Sequence, residues 1–310
     1  MSDFIYGKSD IIINLQRKVQ RIAVSELPVF IEGETGTGKS YLAKQIHELS
    51  GRATGGFVRL DCATLASNLV ESELFGHEKG SYTGASETKQ GVFEKADGGT
   101  IFLEEIENLH CSLQAKLLTV LEDKTIRRVG GNKDIPVDFR LLSASNDYIE
   151  NKVSQGDFRR DLFYRLRGIR LNLPPLRERK EDIAGLATHF LNGCNKRNKI
   201  NKKFSKDVIP YLIDYSWPGN MRELKYAVEE AAVKSETDEI QISDFSIDLD
   251  QHSSLSGKNK NLLSLTELEK RHICIVLKVV EFNKAKAAKI LGIGLNTLYR
   301  KIKNYDIGKI

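Results

Sequence analysis

The chain reads as an α/β domain on a parallel sheet, followed by an all-helical subdomain and a small basic helical unit at the C-terminus. Three observations predict this. Short apolar runs alternate with helical stretches as far as Leu173. Pro174-Pro175 ends that alternation, and only helical periodicity continues from Lys180 to about Lys234. A polar, patternless stretch, residues 247–261, then sets off a last helical segment. The length of 310 residues favours two domains and a small appendage, at about 100–200 residues per domain. The boundaries expected are 1–175 for the α/β part, 176–246 for the helical part, 247–261 for a linker and 262–310 for the terminal unit.

Taken in order, PVFIE (28–32) is a strand. A helix runs from Lys39 to about Leu49, with Leu42, Ile46 and Leu49 on one face. FVRLD (57–61) is the next strand, and TIFLE (100–104) follows the turn residues Asp97-Gly98-Gly99. A helix over 111–123 precedes the strands DFRLLSAS (138–145) and GIRLNL (168–173). In the tail, a first helix is expected over 266–280 and a second over 284–291 with Asn283 as N-cap. Gly292-Ile293-Gly294 forms a turn, and the last helix covers 295–305. Ala288 and Gly292 are small where two helices must cross, and Leu291, Ile293, Leu298 and Ile302 supply a shared core.

Composition excludes several classes. A hydrophobic share of 40% with 29% charged residues is that of a globular chain, neither disordered nor fibrous. No run approaches the ~18 apolar residues of a membrane helix. The start, MSDFIYGKSDIIINLQRK, lacks the basic-then-apolar order of a secretion signal, so the cytoplasm is expected, with no membrane partner. Cys62, Cys111, Cys194 and Cys274 lack metal-ligand spacing and read as core or surface thiols. His77-Glu78 is followed by Lys-Gly-Ser, without the second histidine of a zinc-protease helix. Charge is uneven. Residues 251–310 hold 12 Lys+Arg against 4 Asp+Glu, so a tail of +8 follows a body of −3 within the net +5. A basic tail on a slightly acidic body suits nucleic acid or a solvated lysine-rich surface, and charge alone does not choose between them.

The sharpest motif is Gly33-Glu34-Thr35-Gly36-Thr37-Gly38-Lys39-Ser40, a complete G-x-x-x-x-G-K-[ST] between a strand and a helix. Glycines let backbone N–H groups wrap phosphate oxygens, and the helix N-terminus adds its dipole. Lys39 supplies a point charge to the β/γ-phosphates and Ser40 a hydroxyl to Mg²⁺. Glu104-Glu105, ending an apolar strand, offer one carboxylate for the metal and one to orient or deprotonate water.

GETGTGKS, ESELFGHEKGSYTGA, GGTIFLEEI, FRRDLFYRL, LPPLRERKEDI and WPGNMREL occur in that order. Together they resemble the AAA+ domain of bacterial enhancer-binding activators of sigma-54 RNA polymerase, over about residues 5–245. The tail resembles the Fis-type helix-turn-helix of the same proteins. The resemblance implies a P-loop AAA+ α/β domain with a helical lid, ATP and Mg²⁺ as ligands, and a ring, most simply a hexamer. It assigns Glu105 to activating the attacking water, Ser145 and Asn146 to sensing the γ-phosphate, and Arg222 to a second sensor on the lid. Arg159 and Arg165 match arginine fingers that reach a neighbouring subunit. Six residues apart on one helix is about 240° round, so periodicity would not have paired them. Gly80, Ser81, Tyr82, Thr83, Gly84 and Ala85 match the loop that contacts sigma-54. In the family, ATP turnover raises and lowers that loop and so remodels the closed polymerase–promoter complex. Two glycines around an aromatic and a threonine suit a mobile, amphipathic tip.

Several residues depart from the family pattern. Glu104 stands where aspartate is usual, one methylene longer, so slower turnover or weaker metal binding is expected. Asp61 replaces an asparagine thought to hold the catalytic glutamate aside, and a carboxylate there would repel Glu105. Ser81 and Tyr82 replace alanine and phenylalanine, with the ring retained.

On the last helix, Asn296, Thr297, Arg300, Lys301 and Lys303 are expected to face double-stranded DNA at an upstream enhancer, some reading base edges and some holding phosphates. Only 32 residues precede Gly33, too few for a receiver domain, a layout resembling the phage-shock and Hrp-type activators. Control would then come from a regulatory partner protein, expression level or hetero-oligomerisation. Two other readings compete with an ATP-driven activator. One is a DNA-binding regulator with a degenerate ATPase, in which nucleotide sets only oligomeric state. The other is an AAA+ remodelling chaperone without a polymerase partner.

Overall fold

The computed structural model describes residues 7–63, 67–82, 84–146, 149–246 and 283–305, with 269–270, 272–273, 276–277 and 280. It divides into two compact units, residues 1–249 and 250–310. In the first, α1 (Asp10–Ala23) leads into β1 (Val29–Glu32) and α2 (Lys39–Glu48). Then come β2 (Phe57–Asp61), β3 (Thr100–Glu104), α3 (Cys111–Asp123), β4 (Arg140–Ser145), α4 (Arg160–Leu166) and β5 (Ile169–Asn172). The five strands form one parallel sheet in the order β2-β3-β4-β1-β5.

Burial explains the order. Every residue of β1 and β4 is buried, while β2 and β5 at the edges keep exposed positions, as sheets covered on both faces require. Alternation sends Phe30, Ile101 and Leu103 to one core and Val29, Ile31 and Phe102 to the other. The register aligns Asp61 with Glu104 and Glu32 with both Ser145 and Asn172. All the polar strand ends therefore share one edge of the sheet, where parallel α/β sheets bind ligands. In α2, Leu42 and Ile46 are buried as expected, but Leu49 is 45% exposed, because the helix closes at Glu48 and Leu49 caps it. Helix α1 is pinned at both ends. Asp182 accepts from Ser9 N (2.8 Å) and Ser9 Oγ (2.7 Å) at the start, and the buried Arg140 donates to the Ile22 carbonyl (2.8 Å) at the finish. A guanidinium there also complements the helix dipole.

The lid is built from α5 (Ile183–Asn198), a short helix over Val208–Asp214, and α6 (Asn220–Lys234), around a core containing Leu186, Leu191, Leu212, Trp217, Leu224 and Val228. Helical periodicity missed one element. Lys203-Phe204 pairs in parallel with Glu239-Ile240. Runs of two residues carry no readable period, and pairing over such sequence distance comes from packing. Among the described residues no helix is long and apolar enough to cross a membrane.

In the second unit, α7 (Lys284–Ile290) and α8 (Leu295–Asn304) flank the turn at 292–294. Asn283 Oδ1 accepts from Lys286 N at 3.1 Å, the cap expected from the sequence. Leu298 and Ala288 are buried with Ile273, Val276 and Leu277, and Leu291, Ile293 and Ile302 pack against them. Gly292 is not a crossing point. Its φ is +65° and a Cβ there would meet only open space, so glycine serves the left-handed turn. The linker at 247–261 and much of the helix expected over 266–280 lie outside the described residues.

Trp217 is fully buried and its Nε1 donates to the Leu212 carbonyl at 2.8 Å. Trp217→Ala is expected to cost about 3–5 kcal/mol of lid stability, measured by urea denaturation followed by circular dichroism.

Candidate active site

The phosphate loop joins β1 to α2 and opens onto a cavity of about 270 Å³. Thr35, Gly36, Gly38, Lys39 and Ser40 line one wall, Glu104 and Glu105 another, and Arg222, Lys225 and Tyr226 of α6 a third. Gly33, Glu34 and Thr37 stand behind this wall. Thr37 is buried and its hydroxyl donates to the Glu34 carbonyl at 2.8 Å. At Gly36, φ is +80° and a Cβ would sit 2.3 Å from the Gly219 carbonyl, so the loop and lid approach too closely for any side chain. Lys39 Nζ donates to the Gly33 carbonyl (2.6 Å), the Glu34 carbonyl (3.1 Å) and Asn146 Oδ1 (2.9 Å), which hold the ammonium across the loop.

At the end of β3 the two acids diverge. Glu104 Oε2 accepts from Arg59 at 2.5 Å, while its Oε1 is buried without a hydrogen-bond partner. Glu105 takes a left-handed backbone, φ +50°, and Oε2 accepts from Asn108 Nδ2 at 3.2 Å. A non-glycine residue there is uncommon and turns Glu105 away from the strand's own direction. Asp61 Oδ1 accepts from Ala63 N at 3.0 Å. The Cys62 thiol is pushed up to about 12, first by burial and then by the charges of Asp61, Glu107, Glu105 and Glu104. Four carboxylates thus surround one strand end, with Arg59 bonded into the group. Glu104, with one carboxylate oxygen unpaired, and Ser40 line the same cavity, and their hard oxygen donors fit Mg²⁺.

Asn146 ends β4. Its Oδ1 accepts from Lys39 Nζ and, at 3.3 Å, from Thr35 Oγ1, so it touches the loop that would hold phosphate. Ser145 is buried and its hydroxyl donates to the Asn146 carbonyl at 2.8 Å, supporting the neighbouring residue from behind. Sequence reasoning missed the residues that fasten the loop to the lid. Arg177 donates from two nitrogens to Glu34, at 2.8 and 2.5 Å. Arg179, buried, donates to the Thr37 carbonyl at 2.9 Å, and burial lowers its pKa. Asn220, fully buried at φ +54°, accepts from Leu176 N (2.7 Å) and donates to Glu34 Oε2 (3.1 Å) and the Thr35 carbonyl (3.0 Å). These residues lie inside the LPPLRERK and WPGNMREL segments, but nothing in local spacing says which side chains turn back on the loop.

The remaining candidates lie away from this cavity. Arg159 is the N-cap residue of α4, not part of the helix, and pairs with Asp161 at 3.0 and 2.6 Å. Comparing its helical angle with Arg165 therefore does not apply. Arg165 donates to the Leu121 carbonyl at 3.1 Å. In the contact-loop segment, Gly80 N donates to the Ala85 carbonyl at 2.9 Å and Ala85 N to the Tyr82 carbonyl at 3.0 Å. Ala85 and the Ser81 hydroxyl are buried, while Tyr82 is 41% exposed and meets His77 edge-on at 5.1 Å. Thr83 lies outside the described residues. The loop's base is thus anchored and its ring presented.

In the tail, Asn296, Arg300 and Lys303 are exposed and Thr297 is half-buried. Lys301 departs from the expected outward role. Its Nζ pairs with Glu269 at 2.6 Å, and Tyr305 donates to the same carboxylate at 2.6 Å. Lys301 therefore braces the unit internally. Tyr299, which the sequence reading passed over, is half exposed on α8 with Lys284 Nζ 4.9 Å from its ring centre.

The Arg177 guanidinium holds the Glu34 carboxyl below the usual carboxylate range, with the Asn220 amide and Lys39 acting the same way against burial. A depressed carboxyl contributes stability above its unfolded value and loses it as pH falls through the folded one. The melting-temperature difference between the native chain and Arg177→Met is therefore expected to hold from neutral pH to about pH 5. It should shrink below about pH 4.

With this geometry in place, three family models account for the chain. The Sigma-54 interaction domain matches residues 5–172, the AAA+ ATPase lid domain residues 177–262, and the Fis-family bacterial regulatory protein residues 264–305. The regulatory protein AtoC of Escherichia coli K12 is 41% identical over 315 residues, spanning 98% of this chain and 68% of that protein. The Nif-specific regulatory protein of Rhodobacter capsulatus is 46% identical over 234 residues, 76% of this chain and 40% of that protein. NtrX from Brucella abortus, solved in complex with ATP, superposes with a TM-score of 0.75 at 30% identity, over 98% of this chain and 69% of that one. An α/β AAA+ domain on a parallel sheet, its helical lid and a Fis-type helix-turn-helix occur here in the order those matches require, and the chain belongs to the sigma-54-dependent, enhancer-binding transcriptional activators.

Proposed function

We propose that this activator hydrolyses ATP between subunits of a ring and uses the cycle to move its Gly80–Ala85 loop against sigma-54 RNA polymerase. The observation that carries the reading is the cavity that unites Lys39 and Ser40 with Glu104, Glu105 and Arg222. Backbone N–H groups of the loop and the Lys39 ammonium bind the phosphates, and Arg222 closes over them from the lid. Ser40 and Glu104 would hold Mg²⁺, which would offset the negative charge of the phosphates. Glu105 takes a proton from water as its oxygen attacks the γ-phosphorus, the bond to the β-phosphate oxygen breaks, and ADP and phosphate result. Asn146, bonded to Lys39, is placed to register whether the γ-phosphate is present.

Arg159 and Arg165 do not line this cavity, which suits delivery to a neighbouring subunit and so a hexameric ring. A regulatory partner protein and upstream double-stranded DNA complete the partners, and work on chromosomal promoters belongs in the cytoplasm. One observation favours a second reading. Arg59 occupies one oxygen of Glu104, which suits a degenerate ATPase whose nucleotide sets only assembly.

Glu105→Gln is expected to keep ATP binding and lose at least about a hundredfold in turnover; a native chain with no Mg²⁺-dependent turnover favours the second reading. Arg159→Ala should cost roughly 10³-fold or more. Mixing Arg159→Ala with Glu105→Gln chains should restore part of the rate, since each supplies what the other's interface lacks. No recovery on mixing argues against a finger acting in trans.

At the tail, Arg300→Ala should weaken enhancer binding, and Lys303→Ala should reduce the salt slope of binding by about one. Lys301→Ala should instead lower the tail's melting temperature. Fluorescence anisotropy over a salt series and a thermal melt separate these outcomes.

A further inference from the structure

One buried acid near the site has no part in the proposed chemistry. Glu107 sits in the single turn of tight helix over Ile106–Asn108, directly after the paired acids, and is 7% exposed. Oε1 accepts from the backbone N–H of Asn146 at 3.1 Å, and Oε2 is buried without a hydrogen-bond partner. A carboxylate buried with one oxygen unpaired is costly, and it stands among other carboxylates, since its charge joins those of Asp61, Glu104 and Glu105 around Cys62. An apolar side chain would serve packing at less cost. What the carboxylate gains is its contact, because Asn146 in turn accepts from Lys39 and Thr35 of the phosphate loop. The turn itself is fixed from outside. Lys152 Nζ donates to the Glu107 carbonyl (2.7 Å) and to Asn108 Oδ1 (3.1 Å).

We propose that Glu107 is a positioning residue that holds the backbone of Asn146, so that the sensor side chain meets Lys39 and the γ-phosphate together. The inference rests on the sensor role proposed above for Asn146. Glu107 does not line the nucleotide cavity. It links the turn carrying Glu105 to the strand end carrying Asn146, so the acid that activates water and the group that reads phosphate are set by one element.

The test is steady-state ATP turnover with Mg²⁺ by the full chain. Glu107→Met, similar in size but unable to accept, should lower kcat roughly tenfold, the worth of one charge-assisted hydrogen bond. KM for ATP and affinity for ADP should stay within about twofold. Glu107→Gln, which keeps an acceptor, should recover to within about threefold of the native kcat. In an Asn146→Ala background, Glu107→Met should cost nothing further. Amide exchange over 141–149 should rise in Glu107→Met and not in Glu107→Gln, a readout that stands even if turnover is too slow to measure. Native kcat in Glu107→Met, equal loss in Glu107→Gln, an additive cost on top of Asn146→Ala, or unchanged exchange would each overturn the proposal. If Asn146→Ala itself turns over ATP at the native rate, the sensor reading fails and takes this inference with it. If Asn146→Ala is slow and Glu107→Met is not, only the inference fails.

Discussion

The nucleotide site depends on one contact zone, where a glycine-rich loop is fastened to the lid. Glycines give the loop its close approach to phosphate and leave those positions without side chains for packing. The lid supplies the missing constraint. Asn220 bonds to Leu176, Glu34 and Thr35, Met221 N donates to the Gly36 carbonyl at 3.0 Å, and Arg177 and Arg179 hold Glu34 and Thr37. Asn220 adopts a left-handed backbone to do so, a conformation asparagine tolerates better than most residues. A loop poised for phosphate and a lid that has found its seat are thus one arrangement.

The parallel sheet provides the frame for that arrangement. Its register brings Asp61, Glu104, Ser145 and Glu32 to a common edge, and the turn after β3 brings Glu105 and Glu107 beside them. Concentrating carboxylates there is unfavourable in the absence of a cation. Arg59 answers part of it by pairing with Glu104. The substitution of glutamate at 104 and the arginine two residues before Asp61 are therefore parts of one electrostatic arrangement. Glu104 bonds Arg59 with one carboxylate oxygen while the other remains unpaired.

Much of this was legible in the sequence. Each strand of the main sheet falls inside the apolar run that predicted it, because buried parallel strands are continuous apolar segments, and the helix over 111–123 has the expected bounds. The phosphate loop and paired acids were readable because their chemistry fixes both residue type and spacing. The lid's two-residue strand pair, the exposure of Leu49 and the inward turn of Lys301 were not. Two depend on a partner distant in sequence, Glu239-Ile240 for the strand pair and Glu269 for Lys301, while Leu49 depends on where α2 closes. Arg179, Asn220 and Glu107 belong to the same class. Their residue types are ordinary for surface turns, and only folding shows them facing inward.

The seating of Asn220 has a mechanical consequence. Since the amide at the head of α6 is bonded to the very loop that wraps the phosphates, the lid cannot swing without dragging on that wrap, and the wrap cannot slacken without freeing the lid. Loop and helical cap are thereby tied as one mechanical piece.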